Sequence, residues 1–179
     1  MKKTPSLVKT TVTSPLGNLL LAASAQGLAG VWFTNQRHRP ADSLIDSWPT
    51  DAGHPVLQAA TQELTRYWAG VLNAFDLPLD LSSGTPFQQS VWNALLTIPA
   101  GHTQRYGELA SQIGRPAAVR AVGTAIGRNP LSIVVPCHRV VGADGSLTGY
   151  AGGLDRKAAL LRLEHGDGLF SPPSPCHPP

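Results

Sequence analysis

The sequence predicts an α+β protein in which a small N-terminal strand-plus-helix domain precedes a mainly helical C-terminal domain with a helix-turn-helix and a candidate active-site loop. Three observations along its 179 residues predict this organisation. Residues 7–34 carry short apolar stretches separated by Gly and Pro turns, which is typical of antiparallel strands. Residues 56–71 show apolar side chains at helical spacing. From residue 85 onward, helix start and stop signals dominate.

The N-terminal domain is predicted to span residues 1–80 and to open with antiparallel strands. Residues 19–23 and 28–33 are the clearest strands, because both are apolar and they flank a turn at Gly27. An earlier turn is predicted at residues 15–18, where proline and glycine interrupt the apolar pattern.

A helix of about four turns is predicted after a polar, proline-containing loop over residues 35–52. Its apolar face consists of Val56, Leu57, Ala60, Leu64, Trp68 and Val71. Residues 76–84 are predicted to be a linker. This half of the chain shows no catalytic constellation and contains no cysteine.

The C-terminal domain is predicted to span residues 85–168 and to begin with a helix. Thr85 suits the N-cap, and Pro86 suits the first helical position, where no N–H is needed. The apolar face of this helix consists of Phe87, Val91, Trp92 and Leu95. Prolines dominate residues 169–179, which are predicted to form an extended, mobile tail.

Two short helices around a tight Gly-Arg-Pro turn predict a helix-turn-helix. The first helix covers residues 106–113 and is closed by Gly114. The second is predicted to begin at Pro116 and to run to about Gly127.

An apolar run over residues 131–135 follows the helix-turn-helix and leads into Cys137. Further along, an Asp-Gly pair between apolar residues predicts a hairpin around residues 144–145. A final helix is predicted over residues 155–165.

Composition argues against several classes of protein. No apolar run approaches the roughly 18 residues of a membrane span, and the first residues lack the apolar core of a signal peptide. We therefore expect a cytoplasmic protein with no membrane partner. The two cysteines, Cys137 and Cys176, are too few for a zinc framework, and a reducing compartment argues against a disulfide between them. We expect no metal site.

The net charge of +3 is modest, but the whole excess lies in the second half of the chain. Residues 1–84 balance at six basic and six acidic groups, whereas residues 85–179 carry eight basic and five acidic groups. Between residues 101 and 139 there are five arginines and one glutamate. Such a stretch suits contacts with phosphates. A solvated basic surface explains the same pattern, and charge alone favours that explanation.

Cys137 is the candidate nucleophile. A thiolate is the attacking form of cysteine, and neighbouring cationic or hydrogen-bonding groups stabilise it. Because adjacent side chains point in different directions, we expect His138 to act through a water or an irregular backbone. Taken alone, the Cys-His pair is better explained as a buried cysteine beside an ordinary polar histidine. The same pair recurs at Cys176-His177, where we expect it to be inert.

A longer set of motifs changes that interpretation. The run around the cysteine is Val135-Pro136-Cys137-His138-Arg139-Val140. The other blocks are Phe87-Gln88-Gln89-Ser90-Val91-Trp92, Tyr106-Gly107-Glu108-Leu109-Ala110, Arg120-Ala121-Val122-Gly123, Arg128-Asn129-Pro130, Tyr150-Ala151-Gly152-Gly153 and Leu163-Glu164. In order and spacing, residues 86–166 resemble the O6-alkylguanine-DNA alkyltransferases, also called methylated-DNA–protein-cysteine methyltransferases.

The resemblance implies repair of alkylated DNA by irreversible transfer of the alkyl group from O6-alkylguanine to Cys137. His138 is implied to remove the thiol proton through a water, and Glu164 to orient His138. No cofactor is implied, because the DNA donates the alkyl group, and the stable thioether product means that each molecule acts once. The implied partner is double-stranded DNA containing O6-alkylguanine, bound in the minor groove by a monomer, with clustering along DNA as an alternative.

The resemblance also implies roles in DNA binding. Tyr106 would press on the 3′ phosphate, and Arg120 would fill the space that the flipped guanine leaves in the stack. Ala118 would let the second helix of the helix-turn-helix approach the minor groove closely, and Asn129 would tie that helix to the active-site loop. Val119 is bulkier than the alanine expected in the family, so the helix could sit slightly differently.

The implied base pocket is built mainly from backbone groups. The carbonyls of Cys137 and Val140 would read the guanine amino group, the amide of Ala151 would bond O6, and Tyr150 would form a wall. Many relatives have serine at position 151, but a backbone contact tolerates the alanine.

Three other functions stay open at this point. A non-catalytic relative would bind alkylated DNA without an acceptor cysteine, and Cys137 argues against it. A helix-turn-helix transcription regulator would bind one DNA sequence and leave Cys137 unmodified. A cysteine hydrolase would need an oxyanion hole and repeated turnover, and the sequence shows no motif for it.

Overall fold

A computed structural model describes residues 6–167 and begins with a three-stranded antiparallel sheet. Its strands β1 (Val8–Val12), β2 (Leu19–Ala23) and β3 (Leu28–Phe33) lie in the order β1-β2-β3. The predicted antiparallel strands are therefore confirmed. The predicted proline tail and Cys176 lie outside the described residues.

The turn between β2 and β3 requires glycine. Gly27 has a φ of 155°, and a Cβ at this position would overlap the carbonyl group of Pro78. The close approach exists because the Leu28 N–H donates to the Pro78 carbonyl (2.7 Å) and the Asp80 N–H donates to the Leu28 carbonyl (2.8 Å). The segment predicted as a linker thus runs alongside β3, because its backbone supplies partners for the start of that strand.

Two helices follow the sheet, α1 (Asp42–Asp46) and α2 (Pro55–Trp68). The prediction of a plain loop over residues 35–52 is wrong at α1, a single turn too short for a periodic signal. Helix α2 confirms the predicted helix, although Val71 lies beyond its end and is 66% exposed. Gly70 ends the helix with a φ of 73°.

The C-terminal part is mainly helical, as predicted, with four helices in the described residues. They are α3 (Pro86–Leu95), α4 (Tyr106–Gln112), α5 (Val119–Gly127) and α6 (Leu154–Glu164). A reciprocal capping box opens α3, because the Thr85 hydroxyl accepts from the Gln88 N–H (3.2 Å) and the Gln88 side chain accepts from the Thr85 N–H (2.9 Å).

The second helix of the helix-turn-helix begins three residues later than predicted. Pro116 lies in a turn closed by the Ala118 N–H, which donates to the Arg115 carbonyl (2.9 Å). The α-helical pattern starts only when the Val122 N–H donates to the Ala118 carbonyl (2.9 Å). Pro116 therefore lies in a turn, whereas the prediction placed it at the first helical position, which proline commonly occupies.

The predicted hairpin around residues 144–145 is wrong. A turn does form, because the Gly142 N–H donates to the Ser146 carbonyl (2.9 Å), but no second strand follows it among residues 146–153. Instead β5 (Val140–Val141) pairs in parallel with β4 (Gln104–Arg105), the short strand before α4. The strand partner of β5 thus comes from a distant part of the chain.

One continuous hydrophobic core joins the two parts of the chain. The Val31 N–H donates to the Pro130 carbonyl (2.8 Å), and the Ser132 N–H donates to the Val31 carbonyl (3.0 Å). Strand β3 is thereby fixed to the segment that leads into Cys137. Within residues 6–167, no helix has the length and apolar character needed to cross a membrane.

Candidate active site

A cavity of about 580 Å³ opens on the surface beside Cys137. Five residues singled out from the sequence line it, namely Tyr106, Arg120, Cys137, Tyr150 and Ala151. They come from α4, α5, the active-site loop and the segment before α6, so the tertiary fold brings them together. The volume lies within the range of roughly 300–1,000 Å³ typical of small-molecule pockets.

Cys137 begins a short 3₁₀ turn, Cys137–Arg139, and is 4% exposed. The apolar run before it is not a strand, because Ile133 has a φ of 74° and the Val135 N–H donates back to the Leu131 carbonyl (2.8 Å). Positive φ is rare for a β-branched residue and marks a strained backbone held by its surroundings. This tight turn delivers Cys137 to the wall of the cavity.

Asn129 holds the sulfur. Its Nδ2 lies 3.1 Å from the Cys137 Sγ and donates to the Val135 carbonyl at 2.9 Å. Its Oδ1 accepts from the Leu131 N–H at 2.9 Å. The end of α5 is therefore connected through one side chain to both the sulfur and the active-site loop.

The Cys137 thiol is protonated at neutral pH in the free protein. Burial raises the pKa of the thiol above its ordinary value of 9.0, and this effect exceeds the opposing effects of the Asn129 hydrogen bond and the Lys157 charge. A reaction that uses the thiolate as a nucleophile would therefore need a base near the sulfur.

His138 is completely buried, and its Nε2 lies 2.7 Å from the Glu164 Oε1. Burial lowers the pKa of His138, although the hydrogen bond and charge of Glu164 act to raise it, so the ring is neutral at pH 7. A carboxylate only accepts, so Nε2 carries the proton and Nδ1 keeps its lone pair. Nδ1 has no hydrogen-bond partner within the described part of the chain. This lone pair is suited to accept a proton.

The Glu164 carboxylate accepts four hydrogen bonds and is almost completely buried, with its side chain 2% exposed. Oε1 accepts from His138, from the Tyr67 hydroxyl (2.7 Å) and from Arg139 Nη2 (2.8 Å), while Oε2 accepts from Arg139 Nε (2.9 Å). Burial by itself would raise the pKa of the Glu164 carboxyl, but hydrogen bonds and charge from His138 and Arg139 outweigh it and hold that pKa well below its usual range. Glu164 is thus a permanent carboxylate at neutral pH.

Lys157 is a buried cation that sequence reasoning missed. Its Nζ donates to the Val140 carbonyl (2.5 Å) and to the Thr148 carbonyl (2.7 Å), and burial lowers its pKa to about 8. The spacing of residues in α6 could have indicated that Lys157 faces the site, because Lys157, Leu160 and Glu164 share one helix face at intervals of three and four residues.

Three other sequence-predicted residues do not line the cavity. Ala118 is half-buried before the first turn of α5. Asn129 contacts the sulfur, and Val140 is completely buried with its carbonyl accepting from Lys157.

Two of the lining residues reach the surface. Tyr106 donates through its hydroxyl to the Thr148 carbonyl (3.2 Å), and Arg120 is an exposed residue of the cavity lining.

The N-terminal part of the chain contributes to the cavity, which the sequence did not indicate. Arg37 and His38 line it, and the Arg37 N–H donates to the Ala151 carbonyl (3.0 Å). His38 has a φ of 59°. Residues in a polar loop carry no periodic signal, so only the fold reveals this contact. Between residues 6 and 167, no cluster of three or more His, Cys, Asp and Glu side chains could hold a metal ion.

Comparisons with known proteins match both parts of the chain to one family. Residues 86–166 match the family model described as 6-O-methylguanine DNA methyltransferase, DNA binding domain, and residues 7–81 match the ribonuclease-like domain of the same family. A methylated-DNA–protein-cysteine methyltransferase of Mycobacterium tuberculosis is 51% identical over 154 residues, covering 86% of this chain and 90% of the relative. One of Methanosarcina acetivorans is 50% identical over 151 residues, covering 84% and 94%.

A solved structure is similar over nearly the whole chain. The Mycobacterium tuberculosis OGT, crystallised in complex with DNA, superimposes with a TM-score of 0.81 at 48% sequence identity. The match covers 92% of this chain and 99% of the other.

Proposed function

The chain belongs to the 6-O-methylguanine DNA methyltransferase family, and we propose that Cys137 is the residue that accepts the alkyl group. The protein repairs alkylated DNA by irreversible transfer of the alkyl group from O6-alkylguanine to itself, so each molecule acts once. The observation that supports Cys137 most strongly is its place on the cavity wall, together with the neutral His138 next to it in the chain and the ionised Glu164 that is hydrogen-bonded to His138.

In the proposed reaction, the sulfur of Cys137 attacks the O6-alkyl carbon. An S–C bond forms and the C–O6 bond breaks, so the electron pair of that bond leaves with guanine, which then takes up a proton. The thiol proton passes through a water to Nδ1 of His138, and Glu164 stabilises the resulting imidazolium through Nε2. The raised pKa of the thiol makes this base necessary.

The reacting carbon is inaccessible inside a stacked duplex, so the guanine must be flipped out at a cost of a few kcal/mol. We assign Arg120, exposed at the edge of the cavity, to the space that the guanine leaves. Tyr106 lies on the same cavity and would press on the phosphate of the flipped nucleotide. Ala118, at the N-cap of α5, would allow the close approach of that helix to the minor groove.

The base pocket would use backbone groups for recognition. The carbonyls of Cys137 and Val140 already accept one hydrogen bond each, from the Val140 N–H and from Lys157. A carbonyl oxygen has two lone pairs, so each could also accept from the guanine amino group. Tyr150 would form the wall and the Ala151 N–H would bond O6, since both residues line the cavity.

The remaining assignments follow from the same function. We propose a domain division into residues 1–80 and 85–168, supported by the two family models that match 7–81 and 86–166. We also propose that the protein works as a monomer on double-stranded DNA in the cytoplasm. Asn129 would couple the seating of α5 on DNA to the sulfur, because its backbone N–H donates to the Ile126 carbonyl of α5 (3.1 Å) and its Nδ2 lies 3.1 Å from the Cys137 Sγ.

The direct test of this function is the mass of the reacted protein. Incubation with duplex DNA containing O6-methylguanine should add one methyl group, about 14 Da, to the peptide that carries Cys137. Digestion and mass spectrometry would locate the group, and unmodified DNA is the control. An unchanged mass together with repeated hydrolysis of an ester substrate would instead indicate a cysteine hydrolase. An unchanged mass with tight binding to one DNA sequence would indicate a transcription regulator.

Arg120→Ala should slow repair in duplex DNA by about ten- to a hundredfold, because nothing then fills the vacated stack and the cost of flipping is a few kcal/mol. Repair of the same base in a single strand should change much less. Single-turnover rates on the two substrates measure the difference. Arg115→Ala is the matched control, since Arg115 is also exposed but does not line the cavity. An equal loss on both substrates would contradict the role of Arg120.

A further inference from the structure

The carboxylate behind the active site is held partly from the other half of the chain. Tyr67 lies in α2, 97 residues before Glu164, and its hydroxyl oxygen is 2.7 Å from the Glu164 Oε1. Its side chain is 2% exposed. The ring packs against Phe75 with centroids 5.4 Å apart and against Trp68 with centroids 5.2 Å apart. Tyr67 is therefore fixed in position before DNA binds.

The hydroxyl of Tyr67 donates to the carboxylate. Burial, and then the negative charge of Glu164, raise the pKa of Tyr67, so the phenol stays neutral. An ionised carboxylate has no hydrogen to donate, so the proton in this hydrogen bond belongs to Tyr67. Oε1 then accepts from three donors, Tyr67, His138 and Arg139.

Three donors on one oxygen affect the histidine. Each spreads the negative charge of Oε1 and limits how strongly Glu164 can stabilise a charged His138 ring. They also fix the orientation of the carboxylate, which fixes the imidazole that it holds. The other charged or titratable groups that act on His138 are Arg139, beside it in the 3₁₀ turn, and Lys157, on α6. Tyr67 is the member of this network that comes from the N-terminal part of the chain.

We propose that Tyr67 is a positioning residue for alkyl transfer, acting through Glu164 on the orientation and basicity of His138. Helix α2 of the N-terminal part thus takes part in the proton relay as well as packing on the core. This role rests on the proposed function of His138 as the base.

Tyr67→Phe tests this inference, because it keeps the ring and removes only the donor. Full-length protein is mixed with duplex DNA containing O6-methylguanine, and the single-turnover transfer rate and the dissociation constant for DNA are measured across pH. We expect a rate about tenfold lower at pH 7 with unchanged DNA binding. We also expect the acid limb of the pH–rate profile to move to higher pH, because Glu164 then favours the charged ring of His138 more strongly.

Trp68→Phe is the matched control, since Trp68 is the neighbouring aromatic residue on α2 and packs on Tyr67 without bonding Glu164. If the transfer rate falls in both variants and neither pH profile changes, Tyr67 contributes only to packing, and the inference is overturned. An unchanged rate and profile in Tyr67→Phe would overturn it as well.

A second measurement does not depend on activity. NMR of protein labelled at histidine can follow the titration of the His138 ring without DNA. The midpoint should move to higher pH in Tyr67→Phe, and an unchanged midpoint would count against the inference. If the wild-type protein gains no methyl group on Cys137, the proposed function fails instead, whatever the His138 titration shows.

Discussion

Replacing Cys137 with serine should abolish alkyl transfer while leaving DNA binding intact. Serine fits the same site, and Asn129 Nδ2 can donate to its hydroxyl as it does to the sulfur. The hydroxyl is a far weaker nucleophile than a thiolate, and its proton is much harder to remove at neutral pH. We expect the transfer rate to fall by on the order of 10⁴-fold or more, as when the nucleophile of a catalytic triad is removed.

The measurement pairs a transfer assay with a binding assay on the same duplex containing O6-methylguanine. Cys176→Ser is the matched control, because it makes the same change at the second Cys-His pair of the chain. That variant should keep the wild-type rate. Transfer that persists in Cys137→Ser and disappears in Cys176→Ser would show that the acceptor had been assigned to the wrong cysteine.

Glu164→Gln should damage both stability and activity. The amide keeps the size of the side chain but removes the charge that pairs with the buried Arg139, and its NH₂ group must face donors from Arg139, His138 or Tyr67. Breaking one side of a buried ion pair costs about 3–5 kcal/mol. For a chain of this size, that loss lowers the melting temperature by on the order of 10 °C. Loss of the group that orients the base should slow transfer by about 10²- to 10⁴-fold.

Thermal unfolding and single-turnover transfer, both compared with wild type, would measure these two effects. Asp155→Asn is the control, since it neutralises an exposed carboxylate in the first turn of the same helix. Transfer is assayed at a temperature where circular dichroism shows that both variants are folded. A Glu164→Gln protein with wild-type stability and rate would mean that the carboxylate has no part in the relay.

The stability that Glu164 contributes should also depend on pH. Its pKa in the folded protein lies below the ordinary value of 4.5, so the unfolded chain takes up a proton first as the pH falls. The contribution is fully present well above pH 4.5 and is lost progressively below it. Glu164→Gln should therefore lose stability less steeply than wild type as the pH drops below that value.

Several elements of this protein could be predicted from local sequence alone. The turn at Gly27, the capping box at Thr85 and the helix of residues 55–68 depend on residues close together in the chain. The Pro-Cys-His-Arg run alone left Cys137 open to a structural explanation, and motifs spread over residues 86–166 were needed to favour it as the nucleophile. Local signals failed where a distant partner decided the outcome, as when β5 paired with β4 and no hairpin formed.

The sequence therefore determined the α+β class and most of the elements, because each of these depends on a short stretch of chain, and it put Cys137 forward as the candidate nucleophile through motifs spread over residues 86–166. Only the tertiary structure decided how the site works. It placed Tyr67 and Arg139 on Glu164, brought Arg37 to the cavity, and buried Cys137, which raises the pKa of its thiol. Hydrogen bonds between residues up to 97 positions apart, and the burial that shifts a pKa, arise only when the chain is packed.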